Sequence, residues 1–241
     1  MKTVKGENRY SFLATDTETE ELVEVNESGE VIWKIDTALT VFDLWHLSDD
    51  RILFCHYGKN GSGARIIDRS GKTLFQYTTE HEVFTCQPLE NGGVLVGELR
   101  QKRIVETDDK GNIVKTIPFD YKGDEPHETM RMARKLENGT YMIVSPGSKK
   151  IVFLDETGKT LKEFDTRPDT FGAVIRSDGN VVYSCMEGLF ELDEKGNEVW
   201  SLTNEDVPEI NICWLLGIQL RKNGNIVCTN WLGHGHNGEG V

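Results

Sequence analysis

Short apolar bursts, many of them alternating with polar residues, run the length of this chain, and turns rich in Gly, Asn and Asp separate them. The stretch Phe171–Leu202 (FGAVIRSDGNVVYSCMEGLFELDEKGNEVWSL) shows the unit most clearly. A short apolar strand meets an Asp178-Gly179 turn, then a strand over Asn180–Cys185 and a break at Glu187-Gly188. A third strand over Leu189–Asp193, a Lys195-Gly196 turn and a fourth strand ending on Val199-Trp200 complete it. Four short strands joined by tight glycine-bearing turns predict one antiparallel sheet.

The unit repeats. One turn series falls at Asp49-Asp50, Asn91-Gly92, Asn138-Gly139, Asp178-Gly179 and Asn223-Gly224, and a second at Gly29, Gly71, Gly111, Gly158 and Gly196. Members recur every 38 to 47 residues, the period of a propeller blade. The pattern predicts an all-β chain, residues 1–241 forming a single β-propeller domain of four-stranded antiparallel blades. Three strands (Tyr10–Ala14, Leu22–Asn26, Val31–Ile35) precede four complete blades, which begin near Val41, Glu82, Thr129 and Thr170. Two more strands follow, Cys213–Leu220 and Asn225–Asn230. This count predicts a six-bladed ring whose last blade is incomplete, with two further strands beyond Val241 or closure by the N-terminal strands. A five-bladed ring, with Cys213–Leu220 completing the first blade, is the geometric alternative. Closure matters because an open ring would leave unpaired sheet edges.

Counting back from the first turn of each unit sorts the first strands into columns. Phe42, Phe84, Arg131, Phe171 and Leu216 stand seven residues before it, and Leu44, Cys86, Ala133, Ala173 and Ile218 five before. Both columns read as packing between blades, with Arg131 the member that does not fit. Trp45, Gln87, Arg134, Val174 and Gln219, four before the turn, form a more polar column suited to the wall of a central channel.

The unit endings Glu30-Val31-Ile32-Trp33 and Asn197-Glu198-Val199-Trp200 each follow an acidic residue and a glycine turn. The run Asp193-Glu194-Lys195-Gly196-Asn197-Glu198-Val199-Trp200 resembles the repeat of pyrroloquinoline-quinone-like β-propellers. A His ahead of an apolar strand and an Asn-Gly turn (His81…Asn91-Gly92, His127…Asn138-Gly139) looks like the same group and, more loosely, arylsulfotransferase-type propellers. The resemblance covers most of the chain and implies the fold; its motifs specify blades, not chemistry. The chain is too short for the eight-bladed quinoprotein dehydrogenases, and no cofactor is assigned.

Composition removes some functions. A net charge of −13 lacks the basic footprint that nucleic acid or an anionic membrane surface requires. No window approaches the ~18 apolar residues of a membrane helix, so no membrane insertion is expected. Met1–Tyr10 is charged and lacks the apolar run of a secretory signal. The expected compartment is cytoplasmic if the chain is complete and extracytoplasmic if a leader has been removed. The five cysteines sit in apolar strands with no CxxC pair, which reads as buried packing.

The chemistry-bearing residues gather at the predicted lead-ins to the first strands, where the connections Pro118–Thr129 and Asn204–Asn211 are long. His81, Arg100, His127, Arg131, Trp214, Trp231 and His234 are the candidate ligand-binding residues. His beside Arg suits an anionic group, and Trp faces suit a sugar ring. Structural roles compete: a His at a loop–strand junction commonly bonds a carbonyl, and Trp45 and Trp214 also suit wedges between blades. His234-x-His236 with Glu239 has a zinc-like donor set on a glycine-rich scaffold, and no metal is assigned. Gly58–Gly63 lacks the ending of a phosphate loop, and no Gly-x-Ser-x-Gly elbow occurs. No catalytic residue is assigned. The expected function is a binding module for a small anionic or carbohydrate ligand, or a protein partner, on the long-loop face. The alternative is an enzyme in which His127 or His81 is the acid–base group and Arg131 the anion clamp.

Overall fold

A computed structural model describes residues 10–123 and 125–233. It is built from antiparallel sheets in chain order, as the turn spacing predicts. The first sheet has three strands, β1 (Phe12–Asp16), β2 (Glu21–Val25) and β3 (Val31–Asp36). Four complete blades follow. The first holds β4 (Val41–His46), β5 (Ile52–Gly58), β6 (Gly61–Ile67) and β7 (Thr73–Thr79), and the next β8 (Val83–Pro88), β9 (Val94–Glu98), β10 (Arg103–Thr107) and β11 (Ile113–Pro118). A single helical turn, α1 (Pro126–Thr129), precedes β12 (Met132–Lys135), β13 (Tyr141–Ser145), β14 (Lys150–Leu154) and β15 (Thr160–Asp165). The last complete blade holds β16 (Gly172–Ile175), β17 (Val181–Cys185), β18 (Gly188–Leu192) and β19 (Glu198–Thr203), and the hairpin β20 (Trp214–Leu220) and β21 (Ile226–Trp231) ends it.

The blade count corrects the sequence reading. Among the described residues five sheets have blade character, one of three strands and four of four, and the sixth is a two-stranded hairpin, so the count is five blades and a hairpin in place of six blades. Among the described residues β20 pairs with β21 and does not join β1, so it does not complete the first sheet either. Side chains link the two ends instead. The Tyr10 hydroxyl accepts hydrogen bonds from Asn225 Nδ2 (2.9 Å) and Asn223 Nδ2 (3.4 Å), and the Arg221 guanidinium lies 4.0 Å from the Tyr10 ring centroid.

One local motif explains the second turn series. The next-to-last strand of each of these five sheets ends in a register shift, at Glu24/Val25, Ile66/Ile67, Glu106/Thr107, Phe153/Leu154 and Glu191/Leu192. Immediately after it stands Asn26, Asp68, Asp108, Asp155 or Asp193. Its Oδ1 accepts from the backbone N–H groups two and four residues on, as Asp193 does from Lys195 and Asn197 at 2.9 and 2.8 Å. The chain then turns at a glycine with φ between +83° and +87°, the left-handed conformation that glycine adopts without a Cβ penalty.

Packing between blades forms the core. Leu53, Cys55 and Ala64 of one blade meet Val83, Cys86, Val94 and Val96 of the next, and Met132, Met142 and Ile151 meet Ala173, Val181 and Tyr183. The cysteines fit this setting: all five are free thiols, and burial raises those of Cys86, Cys185 and Cys228. Among the described residues no helix is long and apolar enough to cross a membrane.

Candidate functional site

The lead-ins to the first strands share a face with the connections between second and third strands, because backbone hydrogen bonds join them. Tyr57 N donates to Thr40 O, Leu99 N to Glu82 O, Gly147 N to Glu128 O and Phe171 N to Ser184 O. On that face aromatic and basic side chains from successive blades touch in sequence. Phe42 stacks on Phe84 (centroids 4.4 Å apart), and the His127 ring lies 4.8 Å from Phe84. The Arg131 guanidinium sits 5.3 Å from Phe84 on the preceding blade and 5.0 Å from Phe171 on the following one. Phe171 in turn meets Trp214 at 5.6 Å, and Trp214 meets Trp231 edge-on at 5.9 Å. The result is an arc of π faces with one cation in its middle.

Arg131 is accommodated in the phenylalanine column because a guanidinium can make cation–π contacts with both neighbouring rings while keeping its charge. No ion pair holds it among the described residues, and its Nε is buried without an acceptor. Burial lowers its pKa to about 10, partly opposed by Asp169, so it remains a cation at neutral pH. His127, at the surface on α1, has its pKa lowered by burial of the ring and then by the Arg131 charge, which keeps it neutral and able to accept a proton.

His81 and Arg100 lie apart from Arg131. Arg100 Nε donates to Glu82 Oε1 at 2.6 Å, which neutralises it, and Tyr57 OH reaches the same oxygen at 3.4 Å. His81 Nδ1 lies 3.5 Å from Gln101 Nε2, beside that pair and not against Arg131. Trp214 and Trp231 face each other across the hairpin. His234, His236 and Glu239 fall outside the described residues. No cluster of His, Cys, Asp and Glu suited to a metal occurs among the described residues.

The polar column of the first strands bonds blade to blade. Trp45 Nε1 donates to Cys86 O (2.7 Å), Gln87 exchanges hydrogen bonds with the Lys135 backbone, and Arg134 reaches Asp43. Asp43 was not singled out in the sequence; it lies at a register shift, where counting from the turn loses its meaning. An open depression of about 530 Å³ lies away from the arc, against β2 and β3, lined by Val23, Val31, Ile32, Trp33 and the Glu21–Lys34 ion pair.

No protein-family model matches the sequence, and neither does any curated protein. Solved structures do resemble the fold. A protein of unknown function from Bacteroides caccae is similar at a TM-score of 0.82 and 19% identity, covering 95% of this chain and 85% of that one. A catalytically inactive histidine-to-alanine variant of virginiamycin B lyase from Staphylococcus aureus, solved with quinupristin, gives 0.61 and 13%, covering 92% and 84%. BamB from Moraxella catarrhalis gives 0.56 and 15%, covering 92% and 79%. At such identities the likeness carries the propeller fold alone, without the pyrroloquinoline-quinone-like grouping and without chemistry.

Proposed function

We propose that this protein is a binding propeller that takes an anionic ligand at Arg131, on the face where the blades' first strands begin. The observation behind it is a half-buried guanidinium between Phe84 and Phe171 that makes no ion pair among the described residues, with Asp169 acting on it through its charge alone. A cation held out of water without a partner is costly, and an incoming anion recovers that cost through charge-assisted hydrogen bonds. His81 and Arg100 form the outer edge of the same face, and Trp214 and Trp231 its far end. Calorimetric titration with acetate, phosphate and sulfate tests the reading: saturable binding by the wild type that Arg131→Met abolishes supports it. Equal heats from both proteins would remove Arg131 from the site.

One observation favours an enzymatic second reading. His127 is neutral, exposed and shares the Phe84 ring with Arg131, so a bound anion would lie beside a proton acceptor. The lyase neighbour whose histidine-to-alanine variant is inactive makes the comparison worth testing. Retained binding with lost turnover in His127→Ala would distinguish a catalyst from a binding module. A BBS1 structure solved in complex with ARL6 also shares the fold, so a protein carrying the anion is a natural form of the ligand.

A further inference from the structure

We infer that the anion at Arg131 is taken up together with a proton on His127, so that the site holds its ligand more tightly in mildly acidic solution than at neutral pH; this rests on the anion-binding reading above. The placing of the two side chains leads there. His127 and Arg131 stand four residues apart in the lead-in to β12, and both lie against the Phe84 ring of the preceding blade. The imidazole is 4.8 Å and the guanidinium carbon 5.3 Å from its centroid. His127 is exposed, whereas Arg131 is half-buried and its Nε lacks a hydrogen-bond partner among the described residues. A small anion that reaches this guanidinium from solvent is therefore brought close to the imidazole.

The charges around His127 set the sign of the coupling. In the free protein, partial burial of the ring and then the Arg131 charge disfavour the imidazolium, and the exposed Glu125 opposes them without restoring the ordinary value. Glu128, also on α1, is exposed, and Asp169, in the lead-in to β16, acts on Arg131. On the preceding blade Glu82 is engaged by Arg100 and Tyr57, and His81 lies beside Gln101. A bound anion reverses the balance: it offsets the Arg131 charge and gives the imidazolium a charge to face. An opposite charge a few ångströms away favours the charged form by about one to three pKa units. Coupling between two bound species is reciprocal, so an anion that raises the affinity of His127 for a proton is itself bound more tightly once that proton is present. Affinity then rises as pH falls through the bound-state pKa of His127 and levels off below the free-state one.

The test titrates the whole chain with sulfate, which takes up no proton of its own in the range used, at constant ionic strength. Calorimetry in two buffers of different ionisation heat counts the protons taken up with the anion. The expected result is binding about tenfold tighter at about pH 5.5 than at about pH 7.5, with net proton uptake in between. His127→Gln should bind with one affinity across the range and without proton uptake, His81→Gln should keep the pH dependence, and Arg131→Met should not bind. Thermal unfolding of each protein at both pH values establishes that it is folded. Arg131-dependent binding of equal strength at the two pH values would overturn the proton coupling and leave the anion site standing. A pH dependence that survives in His127→Gln would overturn it as well. Absence of any Arg131-dependent binding would overturn the anion-binding reading together with it.

Discussion

Arg134 on β12 meets Asp43 on β4 through both guanidinium arms, Nη1 to Oδ2 at 2.9 Å and Nη2 to Oδ1 at 3.3 Å, although 91 residues separate them. The pair spans the intervening strand β8 and is bonded to it on the way. Thr85 Oγ1 and Cys86 N both donate to Asp43 Oδ2, and Arg134 Nη1 also donates to the Cys86 carbonyl. Three successive blades are therefore tied at their first strands by one carboxylate and one guanidinium, with the Trp45 ring 5.0 Å from the cation.

Removing one partner strands the other. The side chains keep only 19% and 17% exposure, so Arg134→Ala should lie near the lower end of the loss for a broken buried pair, about 3 kcal/mol. Asp43→Asn keeps an acceptor for the Cys86 N–H and should cost less, about 1–2 kcal/mol. Urea unfolding at constant slope measures both. An Arg134→Ala midpoint equal to wild type would show that the strands hold register without the pair.

Most of the fold was legible because its signals are local. Asp193 and Gly196 specify a turn through their own backbone neighbours, and the motif recurs in five sheets. The number of blades was not legible, because whether β20 joins β1 or keeps to β21 depends on residues about two hundred apart in sequence. The site was half legible. Arg131 stood out as a cation among phenylalanines and Trp214 was among the candidates, but its place in that column was not legible: a register shift between Leu215 and Ile218 moves it to where the count put Leu216. Phe42 and Phe84 read as packing, and they do pack, yet the buried Phe84 ring also meets the His127 ring and the Arg131 guanidinium.

Two glycines separate conformational strain from steric exclusion. Gly188 has φ +148°, and a Cβ there would lie 2.0 Å from the Leu202 carbonyl oxygen on the adjacent strand. Gly188→Ala must push β19 away and should cost roughly 2–4 kcal/mol. Gly139 has φ +83° with open space around it, so Gly139→Ala meets only the left-handed penalty, about 1 kcal/mol. Chemical denaturation of the two variants should rank them in that order; equal losses would mean that the β18–β19 pair yields without cost.

His56 on β5 predicts an acid-sensitive fold. It is buried beside Phe54, its Nδ1 lies 3.3 Å from the Gly61 carbonyl, and its Nε2 has no hydrogen-bond partner among the described residues. Burial first, then the Arg65 charge, lowers its pKa to about 4 from 6.5. Between those values the unfolded chain binds a proton that the folded chain refuses, so stability rises with pH across this window. The full effect is roughly 3 kcal/mol, gained between about pH 4 and pH 6.5. Replacement by leucine should flatten the profile there, leaving a smaller slope of the same sign from His127. Thermal unfolding across the window reads the difference; an unchanged slope would show that protonated His56 finds a partner.

Arg131→Met gives the prediction that separates a binding residue from a structural one. Methionine fills similar length between Phe84 and Phe171, replaces the cation–π contacts with thioether–aromatic ones and removes a charge that no described residue pairs. Without a buried charge to desolvate, the variant should be within about 1 kcal/mol of wild type, or more stable. A structural arginine behaves oppositely, since losing its bonds leaves acceptors unsatisfied and lowers the melting temperature. The unfolding curve of Arg131→Met in the absence of ligand is therefore decisive. Stability held or raised means that this cation is retained at a cost to the fold, which is the mark of a residue kept for what it binds. A clear loss would assign Arg131 to the packing of three blades, alongside Asp43 and Arg134.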